Sequence, residues 1–177
     1  MKNALILQGW YQKPDSNWYP WLKVELEKRN YKVDIPTLPT IYTDLPDWKK
    51  MEKYIKDHCT VDKDTVIVGH SLGCPMALRM AEKMEYKKMI LVSGWDFNDL
   101  TYQHRLFWKT PLDHKIIRMN VKEIICFGSD NDPYFTFFTV DEMSKRLGGK
   151  SILAKGAGHF TEEFGVTKVP QILKYII

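Results

Sequence analysis

Between Val66 and Met80 the chain reads VIVGHSLGCPMALRM, and it sets a serine between two glycines as Gly69-His70-Ser71-Leu72-Gly73. A serine hydroxyl is a weak nucleophile near neutral pH and needs a base and oriented donors beside it. The G-x-S-x-G pattern is the sequence form of a sharp bend between a strand and a helix, which lifts the hydroxyl clear of a sheet. The serine is then expected in a strained backbone conformation with small neighbours, and Gly69 and Gly73 supply them. The same bend would aim the Leu72 backbone N–H, at the start of a helix, toward a developing oxyanion. A plain strand–helix turn with a capping serine is the competing reading. The apolar run Thr65–Val68 before the motif and the spacing of Met76, Ala77, Met80, Ala81 and Met84 after it predict the flanking strand and helix that the bend requires.

A base and a carboxylate must follow in the order serine, acid, histidine. Of the five histidines, His58 lies near a predicted helix C-terminus and His70 lies inside the turn, its side chain pointing away from that of Ser71. His104 and His114 precede any suitable acid; His159 follows the last predicted strand in KGAGHF, where Gly156 and Gly158 can bend the chain back over the sheet edge. The acid should leave the strand that ends near Phe127, where FGSDNDPYF offers Asp130 and Asp132. Asp132 precedes Pro133, so it also reads as a helix N-cap. Asp130-x-Asp132 hints at calcium, but the glycine and terminal glutamate of such a loop are missing. A second oxyanion donor should come from LQGWYQ, where Gly9 permits a turn and the Trp10 amide is the natural donor; an ordinary strand-ending glycine reads equally well.

Positioning these groups falls to short apolar runs that alternate with amphipathic ones. Strands are predicted at Ala4–Leu7, Tyr31–Ile35, Thr65–Val68, Met89–Val92, Val121–Phe127 and Ser151–Ala154. Helices are predicted over Trp18–Asn30, over DLPDWKKMEKYIKDH with Pro46 in its first turn, after the serine turn, around Thr139–Leu147 and over Val166–Ile177. This alternation predicts an α/β fold over residues 1–177, a single domain with a mostly parallel sheet of about six strands, helices on both faces and no large lid. Reacting groups then gather beyond the C-terminal strand ends. Residues 93–120, with Trp95, Phe97, Tyr102, Phe107 and Trp108, read as an irregular excursion over the site.

With 177 residues, 44% hydrophobic and 27% charged, one soluble domain is expected. The net charge of +4 is spread without a dense basic block, so nucleic acid is not expected as a partner. No apolar run approaches a membrane span, and Ala4–Leu7 is too short for a signal-peptide core. Cys59, Cys74 and Cys126 form no C-x-x-C pair, which argues against a disulfide framework or zinc site and for a reducing cytoplasm.

GHSLG, SDNDPY and GAGHF, in this order on so short a chain, resemble the α/β-hydrolase superfamily, and most of all its small serine hydrolases related to retinoblastoma-binding protein nine and the bacterial YdeN proteins. The likeness extends over nearly the whole chain, SNWYPWLKVEL included. It implies a Ser71–His159–Asp132 triad, which would work with the oxyanion donors read above at Leu72 and Trp10, and the chemistry expected of this set requires no metal or organic cofactor. Many of these proteins carry His-Gly where this chain has Gln8-Gly9, and the pocket-protein motif L-x-C-x-E is absent, since Leu72-Gly73-Cys74-Pro75-Met76 lacks its glutamate. The expected activity is hydrolysis of a small ester, thioester or amide through an acyl-enzyme on Ser71. An acyltransferase or perhydrolase on the same scaffold, and an interaction module that retains the triad, are the alternatives. Trp10, Tyr11, Trp95, Tyr134 and Phe160 flank the catalytic positions and predict an aromatic pocket for a small apolar acyl substrate.

Overall fold

The apolar runs at 4–7, 66–70, 89–92 and 124–129 bury both of their faces, which a sheet allows only when helices cover it on both sides. The computed structural model describes residues 2–177. In chain order its elements are β1 (Lys2–Leu7), α1 (Tyr19–Glu27), β2 (Tyr31–Asp34), α2 (Trp48–His58), β3 (Val66–His70), α3 (Gly73–Ala81), β4 (Lys88–Val92), α4 (His114–Asn120), β5 (Ile124–Ser129), α5 (Phe137–Arg146), β6 (Lys150–Ala154) and α6 (Pro170–Ile176). All strand pairs are parallel, in the order β2-β1-β3-β4-β5-β6. The chain therefore leaves β1 for one edge and returns on its other side as β3. That reversal opens a crevice beyond the carboxyl ends of β1 and β3, where ligands bind in open α/β sheets.

The strand period of two sorts side chains between two cores. Leu5, Leu7, Ile67, Met89, Leu91, Ile124 and Cys126 join the core under α2, α3, α4 and α5. Their neighbours Ala4, Ile6, Val66, Val68, Ile90, Val92, Ile125 and Phe127 face α1 and α6. Together the two layers hold the strand ends that carry the site.

Several boundaries differ from the sequence reading. α1 stops at Glu27 because Asn30 turns the chain with φ +64, a conformation asparagine tolerates. α2 starts after Pro46: Asp47 caps it by accepting the Lys49 and Lys50 amides at 3.0 and 3.4 Å. α3 has no solvent face, since every residue from Gly73 to Ala81 is buried, and Met84 lies beyond its end. Val121 makes only an isolated bridge to Tyr86, so β5 begins later. α6 begins at Pro170 rather than Val166, because the residue before a proline is driven to extended backbone and Val169 has φ −131. The excursion at 93–120 is irregular only to Asp113, whose side chain caps α4 by accepting the Ile116 amide at 3.0 Å. Among the described residues no helix is long and apolar enough to cross a membrane, and no cluster of His, Cys, Asp or Glu could hold a metal ion.

Candidate active site

Ser71 follows β3 directly and takes φ +52, a left-handed conformation that a non-glycine residue adopts only when its surroundings enforce it. The Ser71 amide donates to the Val92 carbonyl at 2.9 Å, which ties the bend to the end of β4. Tight packing explains the two glycines. A Cβ at Gly69 would lie 2.6 Å from the Gly73 carbonyl oxygen, and one at Gly73 would lie 2.1 Å from that of Leu7. Leu72 stands at the N-terminus of α3, and the β1 loop passes so close that a Cβ on Gly9 would sit 3.2 Å from Ser71 Cβ. Among the described residues the Leu72 and Trp10 amides donate to no backbone carbonyl. Two free N–H groups thus flank the serine, one of them at a helix N-terminus.

His159 comes to the same place from the far end of the chain. Its Nδ1 lies 3.0 and 3.2 Å from the two Asp132 carboxylate oxygens. A carboxylate can only accept, so Nδ1 carries the proton and Nε2 is left with a lone pair while the ring is neutral. The imidazole and the serine line one cavity, and among the described residues the bonds of the His159 ring run to Asp132, with none to the Ser71 hydroxyl. Burial raises the Asp132 carboxyl, but the His159 bond and the Tyr134 amide outweigh it and hold the group below its ordinary value. The Ser93 hydroxyl, buried at the end of β4 and without a bonding partner of good geometry among the described residues, adds to that lowering.

Besides holding His159, Asp132 has a second purpose, which is not the helix cap that its place before Pro133 also suggests. Its Oδ1 also accepts the amides of Tyr134 and Phe135 at 2.8 and 3.2 Å, which closes a tight turn over Pro133. It does not cap the following helix; Thr136 caps α5 by accepting the Thr139 amide at 3.3 Å. Asp130 has a different task. The side chains of Ser129, Asp130 and Asn131 accept the successive amides of Ala157, Gly156 and Gly158 at 3.0, 2.7 and 2.7 Å. The loop that carries the acid therefore grips the backbone of the loop that carries the histidine.

The cavity holds about 300 Å³. Trp10, Trp95 and Tyr134 line it, as expected, together with Leu72. Tyr11 does not: it is half exposed and its hydroxyl donates to Asp44 at 2.9 Å, turned away over the surface. Phe160 does not either. It is fully buried in the core beneath α1 and α6, because its left-handed φ of +56 directs it opposite to His159. Sequence reading missed Gln12, His104 and Phe135 as wall residues. Phe135 stacks on Trp95 with ring centroids 4.9 Å apart. His104 packs between Trp10 and Trp95 and is held through Nδ1 by Asp99 at 2.6 Å. The sequence reading passes over His104 because it precedes any suitable acid, and it does not single out Asp99; the pair is evident only once the loop is folded.

A doubly covered parallel sheet with a strained serine between strand and helix at its switch point is the architecture of the α/β-hydrolases. Within that class the chain belongs to the serine hydrolase family, which it matches over residues 4–177. It is 29% identical over 175 residues to the hydrolase YdeN of Bacillus subtilis (strain 168), covering 96% of this chain and 91% of YdeN. It is 31% identical over 154 residues to the serine hydrolase RBBP9 of Rattus norvegicus, covering 81% of this chain and 77% of that protein. The crystal structure of the ydeN gene product from B. subtilis superimposes with a TM-score of 0.89 at 26% identity, over 99% of this chain and 97% of that one.

Proposed function

We propose that this hydrolase cleaves a small ester, thioester or amide through an acyl-enzyme on Ser71. The observation that carries the reading is the meeting of Ser71 and His159 in one cavity, with the His159 ring bound through Nδ1 to a buried carboxylate. In this reading Ser71 Oγ attacks the carbonyl carbon while His159 Nε2 takes its proton. The tetrahedral oxyanion sits against the Leu72 and Trp10 amides. His159 returns the proton to the leaving group, the carbonyl re-forms, and an ester to Ser71 remains. Water, deprotonated by His159, attacks that ester and releases the acid. Asp132 keeps the ring in the Nδ1–H tautomer and stabilises the imidazolium. The aromatic walls and the modest volume favour a short or aromatic acyl group over a long chain. The unpaired Cys59, Cys74 and Cys126 fit a reducing compartment, the cytoplasm.

The test is labelling with a fluorophosphonate probe, followed by turnover of p-nitrophenyl esters of graded length, for wild type and Ser71→Ala. Wild type labels and turns over the short esters. Ser71→Ala loses the label and at least about 10³-fold in kcat. An unlabelled, inert wild type would sink the reading and favour an interaction module instead. Transfer of the acyl group to added alcohol or peroxide faster than to water would make the protein a transferase or perhydrolase.

A further inference from the structure

One buried titratable side chain has no part in the chemistry above. His70 is fully buried at the end of β3, next to the nucleophile. Its Nε2 lies 2.8 Å from the backbone carbonyl oxygen of His159, and its Nδ1 lies 2.5 Å from the Tyr19 hydroxyl. The Tyr19 oxygen in turn takes the Gly9 amide at 3.2 Å.

The direction of every bond in this chain follows from chemistry. A carbonyl only accepts, so His70 Nε2 donates to His159. Burial, followed by the nearby His159, pushes the His70 pKa down to about 3, so the ring is neutral and Nδ1 accepts. Tyr19 therefore donates to Nδ1 and uses a lone pair for the Gly9 amide. Burial raises the Tyr19 hydroxyl, which keeps it protonated for this role. The run Gly9 N–H to Tyr19 O–H to His70, and His70 Nε2–H to His159, is satisfied at every atom.

We propose that His70, held in one tautomer by Tyr19, is a positioning residue that sets the register of three loops: the β1 loop beside the oxyanion, the serine bend and the loop of the general base. The proposal rests on the serine hydrolase reading of Ser71 and His159. Its physical content is distance. His70 is covalently next to the nucleophile and hydrogen-bonded to the main chain of the base, so it ties the two reacting side chains together at their roots. The Ser129, Asp130 and Asn131 contacts hold the histidine loop to the acid loop, but they do not reach the nucleophile. A misplacement of about 1 Å between reacting groups can cost 10²-fold in rate.

The experiment compares His70→Phe, His70→Gln and Tyr19→Phe on p-nitrophenyl acetate, with each variant's fold checked by thermal unfolding. Phenylalanine keeps a ring in the packing and deletes both bonds; glutamine can offer an oxygen to Tyr19 and an N–H to His159. His70→Phe is expected to lower kcat by about 10- to 100-fold with KM within about threefold. His70→Gln should recover most of the loss. Tyr19→Phe should cost about tenfold, and the double variant Tyr19→Phe/His70→Phe should be no worse than His70→Phe alone, since the two act through one link. A folded His70→Phe that keeps kcat within twofold, a loss confined to KM, or a glutamine variant as poor as phenylalanine overturns the proposal. Should His70→Phe not fold, Tyr19→Phe decides by the same kcat criterion. Fluorophosphonate labelling of wild type checks the underlying reading separately. Nitrogen-15 NMR of the His70 ring tests the link without activity: an Nε2–H tautomer that does not titrate between pH 8 and about 5 supports it, and a ring titrating near its ordinary value overturns it.

Discussion

Asp132 and His159 stand 27 positions apart in the chain and meet at 3.0 Å, carboxylate to Nδ1, with the Asp132 side chain fully buried. The turn after β5 and the loop after β6 are adjacent because β5 and β6 are adjacent parallel strands. The sheet thus delivers the two groups to one edge, and the grip of Ser129, Asp130 and Asn131 on the Gly156–Gly158 amides removes the remaining freedom.

Replacing Asp132 by asparagine should cost about 10³- to 10⁴-fold in kcat, because an amide N–H facing Nδ1 selects the wrong tautomer. Asp130→Ala removes one acceptor from an exposed loop, and should lower stability by about 1 kcal/mol and kcat by less than tenfold. Steady-state kinetics on the pair decide which aspartate belongs to the triad. Equal losses would make the two carboxylates interchangeable and the assignment wrong.

Stability should fall with acid in a specific window. His70 binds its proton at about 3 in the folded protein against 6.5 for the free side chain, so between these values only the unfolded chain takes it up. Stability is then full above about pH 6.5 and declines below it by up to about 1.4 kcal/mol per pH unit. Asp132, lowered from 3.8, adds a loss of the same sign at still lower pH. Urea titrations from pH 8 to 4 measure the slope; in His70→Gln the decline above pH 4 should flatten.

The serine bend should not tolerate a methyl group. Gly73→Ala would drive Cβ to 2.1 Å from a β1 carbonyl oxygen, and Gly69→Ala to 2.6 Å from the Gly73 carbonyl oxygen at the start of α3. Backbone cannot yield as a flexible side chain does. Each variant is expected to lose about 3 kcal/mol of stability or more and to lose fluorophosphonate labelling. A stable, labelled Gly73→Ala protein would contradict the close approach of α3 to β1.

The aromatic residues should separate into wall and core. Tyr134 is exposed, lines the cavity and stands edge-on to the His159 ring at 4.8 Å. Tyr134→Ala should raise KM for aromatic acyl esters severalfold and leave the unfolding midpoint nearly unchanged. Phe160→Ala should do the reverse, costing about 3–5 kcal/mol of stability from the packed layer beneath α1 and α6. Paired KM and thermal unfolding measurements on the two variants check the division, which fails if Phe160→Ala changes KM in a fully folded protein.

By itself the sequence determined the local physics. Alternating apolar runs specified strands buried on both faces, the glycines at 69 and 73 specified a bend too tight for side chains, and the order of Ser71, Asp132 and His159 pointed to acyl-transfer chemistry. The runs and the bend depend on neighbours within a few residues, and the order of the three side chains needs no geometry, so all are visible along a line. Tertiary structure decided what depends on side-chain direction and on distance across the sheet. It gave Asp130 and Asp132 separate duties, sent Phe160 into the core and Tyr11 to the surface, and brought His104 to the cavity wall. It also joined Gly9, Tyr19, His70 and His159 in one hydrogen-bonded run. A left-handed φ at a single residue reverses where its side chain points, and strand order alone decides which loops touch; neither can be read from residue spacing.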